Sequence, residues 1–239
     1  MEYSFFHKNY SGVDVIECPG DSDAPIIIFC HGYGSSADNL TFFPNTCNFS
    51  GLRPTWIFPQ GIEKLPSDLG SGYAWFPLNV PLFHELINTS QINERTRQQY
   101  QELFDVDFNR PREALENMIS DLGRNKSEII IGGFSQGAMI TTHLILSSPS
   151  AYCGAIICSG ALILKKYWDT LVQNCAQTPF IQSHGHQDQI LPYYLGDSLF
   201  TLLSSQLCGE FVPFIGGHEI PLQMTQKMCK KVPIWFKKD

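Results

Sequence analysis

Three residues suited to nucleophilic catalysis stand in glycine-rich settings along this chain. Ser135 lies at the centre of Gly133-Phe134-Ser135-Gln136-Gly137. Asp188 closes His184-Gly185-His186-Gln187-Asp188, and His218 follows Gly216-Gly217. A serine hydroxyl is a poor nucleophile at its own pKa and needs a base within reach. A histidine supplies that base, and a carboxylate holds its ring in the useful tautomer and stabilises its charged form. The chemistry such a trio performs is acyl transfer. The chain has 7 His, so the choice of base needs an argument. His7 and His84 precede Ser135, His143 falls inside a helical pattern, and His184 and His186 come just before the acid. His218 follows the acid and sits at a strand-to-helix turn. Asp197, the rival acid, falls inside another helical pattern.

The elements around these residues place them on one edge of a sheet. Short apolar runs occur at Ile26–Cys30, Thr55–Pro59, Glu128–Gly133, Gly154–Cys158, Pro179–Ser183 and Glu210–Phe214. Runs this short, apolar on both faces and often followed by glycine, predict strands buried in a parallel sheet. Helical patterns lie between them. Leu115, Met118, Ile119 and Leu122 recur at three- and four-residue spacing before Gly123, with Pro111 near the start and Asn109 as a candidate cap. Further helices are expected at Gly137–Leu146, Tyr193–Leu207 and Met224–Lys231. The alternation predicts a single α/β domain over residues 1–239, with a mostly parallel central sheet and helices on both faces. Residues 66–108 fit this pattern least. Gly70, Gly72, Trp75, Phe76, Pro77, Pro81 and Phe83 suggest a long loop, either a lid or pocket-lining insertion or irregular packing over a sheet edge.

In that setting Gly-x-Ser-x-Gly is a nucleophile elbow, a tight turn from strand to helix that lifts the hydroxyl above the sheet. The following helix start brings free N–H groups beside the serine. One oxyanion donor is then the backbone N–H of Gln136. The other is expected from the loop after the first central strand, at the N–H of Tyr33 in His31-Gly32-Tyr33-Gly34. His31 itself reads as a buried residue bracing that loop.

Taken in order, His31-Gly32-Tyr33-Gly34, Ala74-Trp75-Phe76, Gly133-Phe134-Ser135-Gln136-Gly137-Ala138, His184-Gly185-x-x-Asp188 and Gly217-His218-Glu219 resemble the phospholipase/carboxylesterase family of α/β-hydrolases, which includes acyl-protein thioesterases. The likeness runs from about Ile26 to the last helix. It implies the α/β-hydrolase fold and cofactor-free hydrolysis of small acyl esters, lysophospholipids or acylated proteins. It also implies that Trp75 and Phe76 line the acyl pocket. The chain departs from the family pattern at Pro77, where members often carry Asp, and over about 79–107. These departures leave substrate preference open.

Composition narrows the field. Apolar residues form 43% and charged residues 16% of the chain, which favours a globular core over disorder. A formal net charge of -7 gives no electrostatic reason for a nucleic-acid partner. No apolar run reaches the roughly 20 residues needed to span a bilayer, and Met1–Tyr10 does not read as a secretory signal. The 8 Cys show neither Cys-x-x-Cys nor zinc-finger spacing, and several sit inside apolar runs. Free thiols in a reducing cytoplasm are expected. Two readings of other classes compete. His184-x-His186-x-Asp188 resembles a metallo-β-lactamase ligand motif and suggests a metal-dependent hydrolase, although Gln189 stands where a further His would follow. A non-catalytic binding module on the same fold is the other. The serine reading needs no metal and no cofactor.

Overall fold

Apolar, β-branched runs form the centre of the sheet because both of their faces are covered. The computed structural model describes residues 3–66, 72–88, 93–103 and 106–237. The strands are β1 (Phe6–Tyr10), β2 (Val13–Cys18), β3 (Ile26–Cys30), β4 (Thr55–Pro59), the short pair β5 (Glu63–Lys64) and β6 (Tyr73–Ala74), then β7 (Ile129–Phe134), β8 (Gly154–Cys158), β9 (Phe180–Gly185) and β10 (Gly209–Phe214). Among the described residues, eight of these form one sheet in the order β1-β2-β4-β3-β7-β8-β9-β10. Every pairing from β4 to β10 is parallel; β1 with β2 and β2 with β4 are antiparallel.

Alternation along the strands divides the core in two. Ile28, Ile57, Ile129, Ile131 and Ile157 face one side, against Leu115, Met139, Trp168 and Leu199. Those partners come from α4 (Asn109–Asp121), α5 (Gln136–Ser147), α6 (Lys165–Leu171) and α7 (Tyr193–Ser204). Ile27, Phe29, Trp56, Ile130 and Ile156 face the other side, against Phe43, Met224 and Met228. These belong to the short α1 (Phe43–Thr46) and to α8 (Leu222–Trp235). Helices on both faces of a mostly parallel sheet are the expected architecture.

Several local expectations change. The antiparallel β1–β2 pair stands at the sheet edge, and its turn carries Ser11 and Gly12 at φ 48° and 86°. Asn109 is not the cap of α4: Phe108 holds that position, and the Asn109 N–H instead donates to Asp107 Oδ1 at 2.8 Å. The segment expected as a long loop contains β6 and two helices, α2 (Val80–Ile87) and α3 (Glu94–Leu103). Asn79 starts α2 by accepting the Leu82 N–H at 3.1 Å. Asn93 and Thr96 exchange side chain-to-backbone bonds at the head of α3, at 2.7 and 3.0 Å. Tyr100 and Leu103 bury one side of α3, and Arg97 lies over the Tyr194 ring of α7 at 5.1 Å. Gly70 lies outside the described residues.

Candidate active site

Strand order decides which loops meet. Central β3 and β7 are neighbours, with Cys30 opposite Gly133, so the His31–Gly34 loop leaves the sheet beside the turn at Ser135. On the other side of β7 come β8, β9 and β10, whose C-terminal ends carry Ser159, Asp188 and His218.

Ser135 has φ 55° and ψ -118° and caps the N-terminus of α5. An L-residue with a side chain pays a conformational penalty there, on the order of 1–3 kcal/mol, which the surroundings must offset. Its N–H is fixed by Cys158 O at 2.9 Å. The flanking glycines are required by space. A Cβ at Gly133 would stand 2.3 Å from Gly137 carbonyl atoms, and one at Gly137 would stand 2.2 Å from Cys30 O. The turn therefore packs backbone against backbone, and the Gly32 backbone also lies close to Ser135.

The His31–Gly34 loop is braced from behind. His31 is fully buried. Its Nε2 accepts the Gly61 N–H at 2.9 Å, so the proton sits on Nδ1 and is donated to Gly32 O at 2.8 Å. Burial lowers the His31 pKa and keeps the ring neutral. Trp75 and Phe76, the residues expected on the pocket wall, are 0% and 1% exposed. The Trp75 indole N–H donates to His31 O at 2.9 Å. The Gln136 side chain accepts the Trp75 N–H and donates to Phe76 O, both at 2.8 Å. Among the described residues, the N–H groups of Tyr33 and Gln136 find no acceptor within the chain. A free amide at the first turn of a helix, as at Gln136, suits developing negative charge, and the Tyr33 N–H stands free in the neighbouring loop.

Asp188 and His218 meet directly. His218 Nδ1 donates to Asp188 Oδ2 at 2.7 Å, and the carboxylate is buried. The other oxygen, Oδ1, accepts the N–H groups of Ile190 and Leu191 at 2.9 and 2.8 Å. The His218 loop is held over the sheet ends: Gln187 N–H donates to Gly216 O, and the Ser159 hydroxyl donates to Glu219 O at 3.1 Å. Ser159, buried with φ 48°, was not anticipated from sequence, and only its place after a strand and before Gly160 marks it. The His218 ring packs on Phe134 at 4.8 Å, next to Ser135 in sequence.

A cavity of about 330 Å³ opens on this group. Ser135, His218, Tyr33 and Gln136 line it together with apolar Leu78, Phe83, Met139, Ile190 and Leu191. Leu78 and Phe83 come from the segment 66–108, with Phe83 on α2. The suggested metal cluster is pulled apart. His184 is buried at the end of β9, whereas His186 is exposed and stacks on Tyr193 at 4.1 Å. Among the described residues, no three His, Cys, Asp or Glu side chains are placed to hold a metal ion.

Comparison with known proteins adds the family. A family model described as Phospholipase/Carboxylesterase matches residues 11–236. The chain belongs to the phospholipase/carboxylesterase family. Acyl-protein thioesterase 1 of Schizosaccharomyces pombe is 26% identical over 228 residues, covering 90% of this chain and 93% of the relative. The protein of the same name from Kluyveromyces lactis is 38% identical over 181 residues, 72% of each chain. Among solved structures, esterase PE8 superposes with TM-score 0.70 at 18% identity, covering 97% of this chain and 98% of the other. Arabidopsis thaliana SOBER1 gives 0.64 at 20% identity, covering 90% and 100%. The fold is thus the α/β-hydrolase fold, and this family member is a hydrolase of esters. Among the described residues, no helix is long and apolar enough to cross a membrane.

Proposed function

We propose that this phospholipase/carboxylesterase-family protein cleaves acyl esters and acyl-Cys thioesters through Ser135, His218 and Asp188. The observation that carries the reading is the 2.7 Å bond from His218 to Asp188, beside the same cavity that Ser135 lines. Asp188 fixes the proton on Nδ1, which leaves Nε2 free to accept. Ser135 Oγ attacks the acyl carbonyl as His218 Nε2 takes its proton. The carbonyl oxygen, now negative, accepts the N–H groups of Tyr33 and Gln136. Collapse expels the alcohol or thiol, which receives the proton from His218. A water, deprotonated by His218, then cleaves the acyl-enzyme and restores Ser135.

The apolar side of the cavity, formed by Leu78, Phe83, Met139, Ile190 and Leu191, suits an acyl chain. Trp75 and Phe76 serve this site from behind, through Gln136 and the His31 loop. The names of the curated relatives support acylated proteins as substrates, with lysophospholipids as the second substrate class of the same chemistry. All eight cysteines are free, six of them buried, in keeping with a reducing cytoplasm.

The test is a hydrolysis panel of matched oxygen esters and thioesters over a series of acyl lengths, run on the wild type and Ser135→Ala. The variant is expected to lose at least about a thousandfold in turnover while remaining folded. Near-normal rates in folded Ser135→Ala refute the assignment.

A further inference from the structure

His184 takes no part in the proposed chemistry, yet it is a fully buried polar side chain beside Asp188. Its side chain is fully buried at the end of β9. Nε2 stands 2.8 Å from Leu191 O and 3.4 Å from Asp188 Oδ2. Both are acceptors, so Nε2 carries the proton. Burial lowers the pKa of the ring and keeps it neutral. Its other edge rests on the backbone of α7: a Cβ at Gly196 would stand 2.2 Å from His184 Nδ1. The imidazole is therefore wedged between α7 and the turn that carries the acid.

That turn closes a ring of bonds. His184 donates to the Leu191 carbonyl, the Leu191 N–H donates to Asp188 Oδ1, and Asp188 Oδ2 accepts from His218. One peptide unit on each side of Leu191 thus links the buried imidazole to the carboxylate. A carboxylate held by two backbone N–H groups keeps its orientation only as long as the turn keeps its shape. The His184 side chain is bonded to the far end of that turn, at Leu191 O. Among the described residues, the other ionisable groups facing Asp188 are His218 and Tyr100 of α3, whose hydroxyl pKa is raised to about 12 by burial and by the Asp188 charge. At neutral pH neither Tyr100 nor His184 brings a charge to the carboxylate.

We infer that His184 is a positioning residue, whose Nε2–H bond to Leu191 O holds the 185–191 turn so that Asp188 keeps His218 in register with Ser135. The inference rests on the proposed roles of those three residues, so its test includes a readout independent of turnover. His184→Met fills similar space without a donor, and His184→Gln returns an N–H near the position of Nε2. In His184→Met, kcat is expected to fall on the order of tenfold or more with KM within about twofold, since a misplacement of about 1 Å at a reacting group can cost a hundredfold. The downfield proton resonance of the His218 Nδ1–H bond to Asp188 is expected to broaden or vanish, and His184→Gln is expected to recover both signals substantially. The same resonance read in a Ser135→Ala background needs no activity, so it tests His184 even if the serine assignment fails. If His184→Met does not fold, Gly196→Ala carries the test, because its methyl displaces the imidazole from the α7 side; the same loss of resonance is expected. A folded His184→Met or Gly196→Ala protein with wild-type kcat and an intact resonance, whatever its melting temperature, overturns the inference.

Discussion

Asp188 and His218, 30 residues apart in sequence, meet at 2.7 Å because their strands run side by side. β9 and β10 pair in parallel from Phe180 opposite Gly209 to Gly185 opposite Phe214. Their C-terminal loops leave the sheet together, and Gly185 lets the later loop cross closely above it: a Cβ there would stand 2.3 Å from Gly217 O. The Asp188–His218 pair is thus a product of sheet register and of glycine at the crossing.

The crossing of backbones under Ser135 predicts a sharp contrast between glycines. Gly137→Ala drives a methyl onto the Cys30 carbonyl and should destabilise by about 3 kcal/mol or more, since overpacking against backbone has no cheap relief. Gly217→Ala meets nothing within 4 Å and should change stability by no more than about 0.5 kcal/mol. Urea unfolding of the two variants checks this. Equal midpoints would mean that the elbow does not depend on that close approach.

Trp75 and Phe83 should separate bracing from substrate selection. Phe83→Ala enlarges the apolar end of the cavity and is expected to change the kcat/KM ratio of long- to short-chain esters by at least about tenfold. Trp75→Ala removes a fully buried ring and the bond to His31 O, so it should cost about 3–5 kcal/mol of stability. Melting temperatures and a chain-length series measured on both variants decide the matter. An unchanged length profile in Phe83→Ala removes α2 from the acyl site.

Stability should fall in acid through histidines buried in the neutral form. His143 in α5 accepts the Trp168 indole N–H on Nδ1 at 3.2 Å, and burial, with Arg112 nearby, lowers its pKa to about 4. The unfolded chain binds that proton near its ordinary value of about 6.5, so it binds more protons than the folded chain between those two values. Stability is complete above about 6.5 and drops as pH falls toward 4, by on the order of 3 kcal/mol from this residue. His31 and His184, also lowered by burial, add to the slope in the same direction. Urea midpoints from pH 7.5 to 4.5 should decline in the wild type and decline less in His143→Gln. Parallel curves for the two proteins would assign the acid sensitivity elsewhere.

Much of this was legible in the sequence because the central strands are apolar on both faces and glycine marks their exits. Ile26–Cys30 and Gly154–Cys158 fall where their composition puts them. The β1 strand was harder: four of its five residues are exposed, so it shows no buried face, and the Ser11-Gly12 turn that joins it to β2 was the available signal. The helix α3 is polar on most sides, and its Asn93–Thr96 cap is the clearest mark of its start. Within the candidate site, the meeting of Asp188 with His218 could be read from order and context. Ser159 and the Gln136 side chain could not, since each bonds backbone groups far along the chain that only the fold brings near; His184 bonds Leu191 O across a turn whose shape the local sequence does not specify.

The most direct test of the central claim is covalent. A serine-directed phosphonate applied to the native protein should add a single adduct, mapped by peptide mass to Ser135, with activity lost in proportion to labelling, and His218→Ala should slow the labelling strongly. Ester hydrolysis that continues undiminished in fully labelled protein, or activity that tracks an adduct at a different residue, would contradict the account.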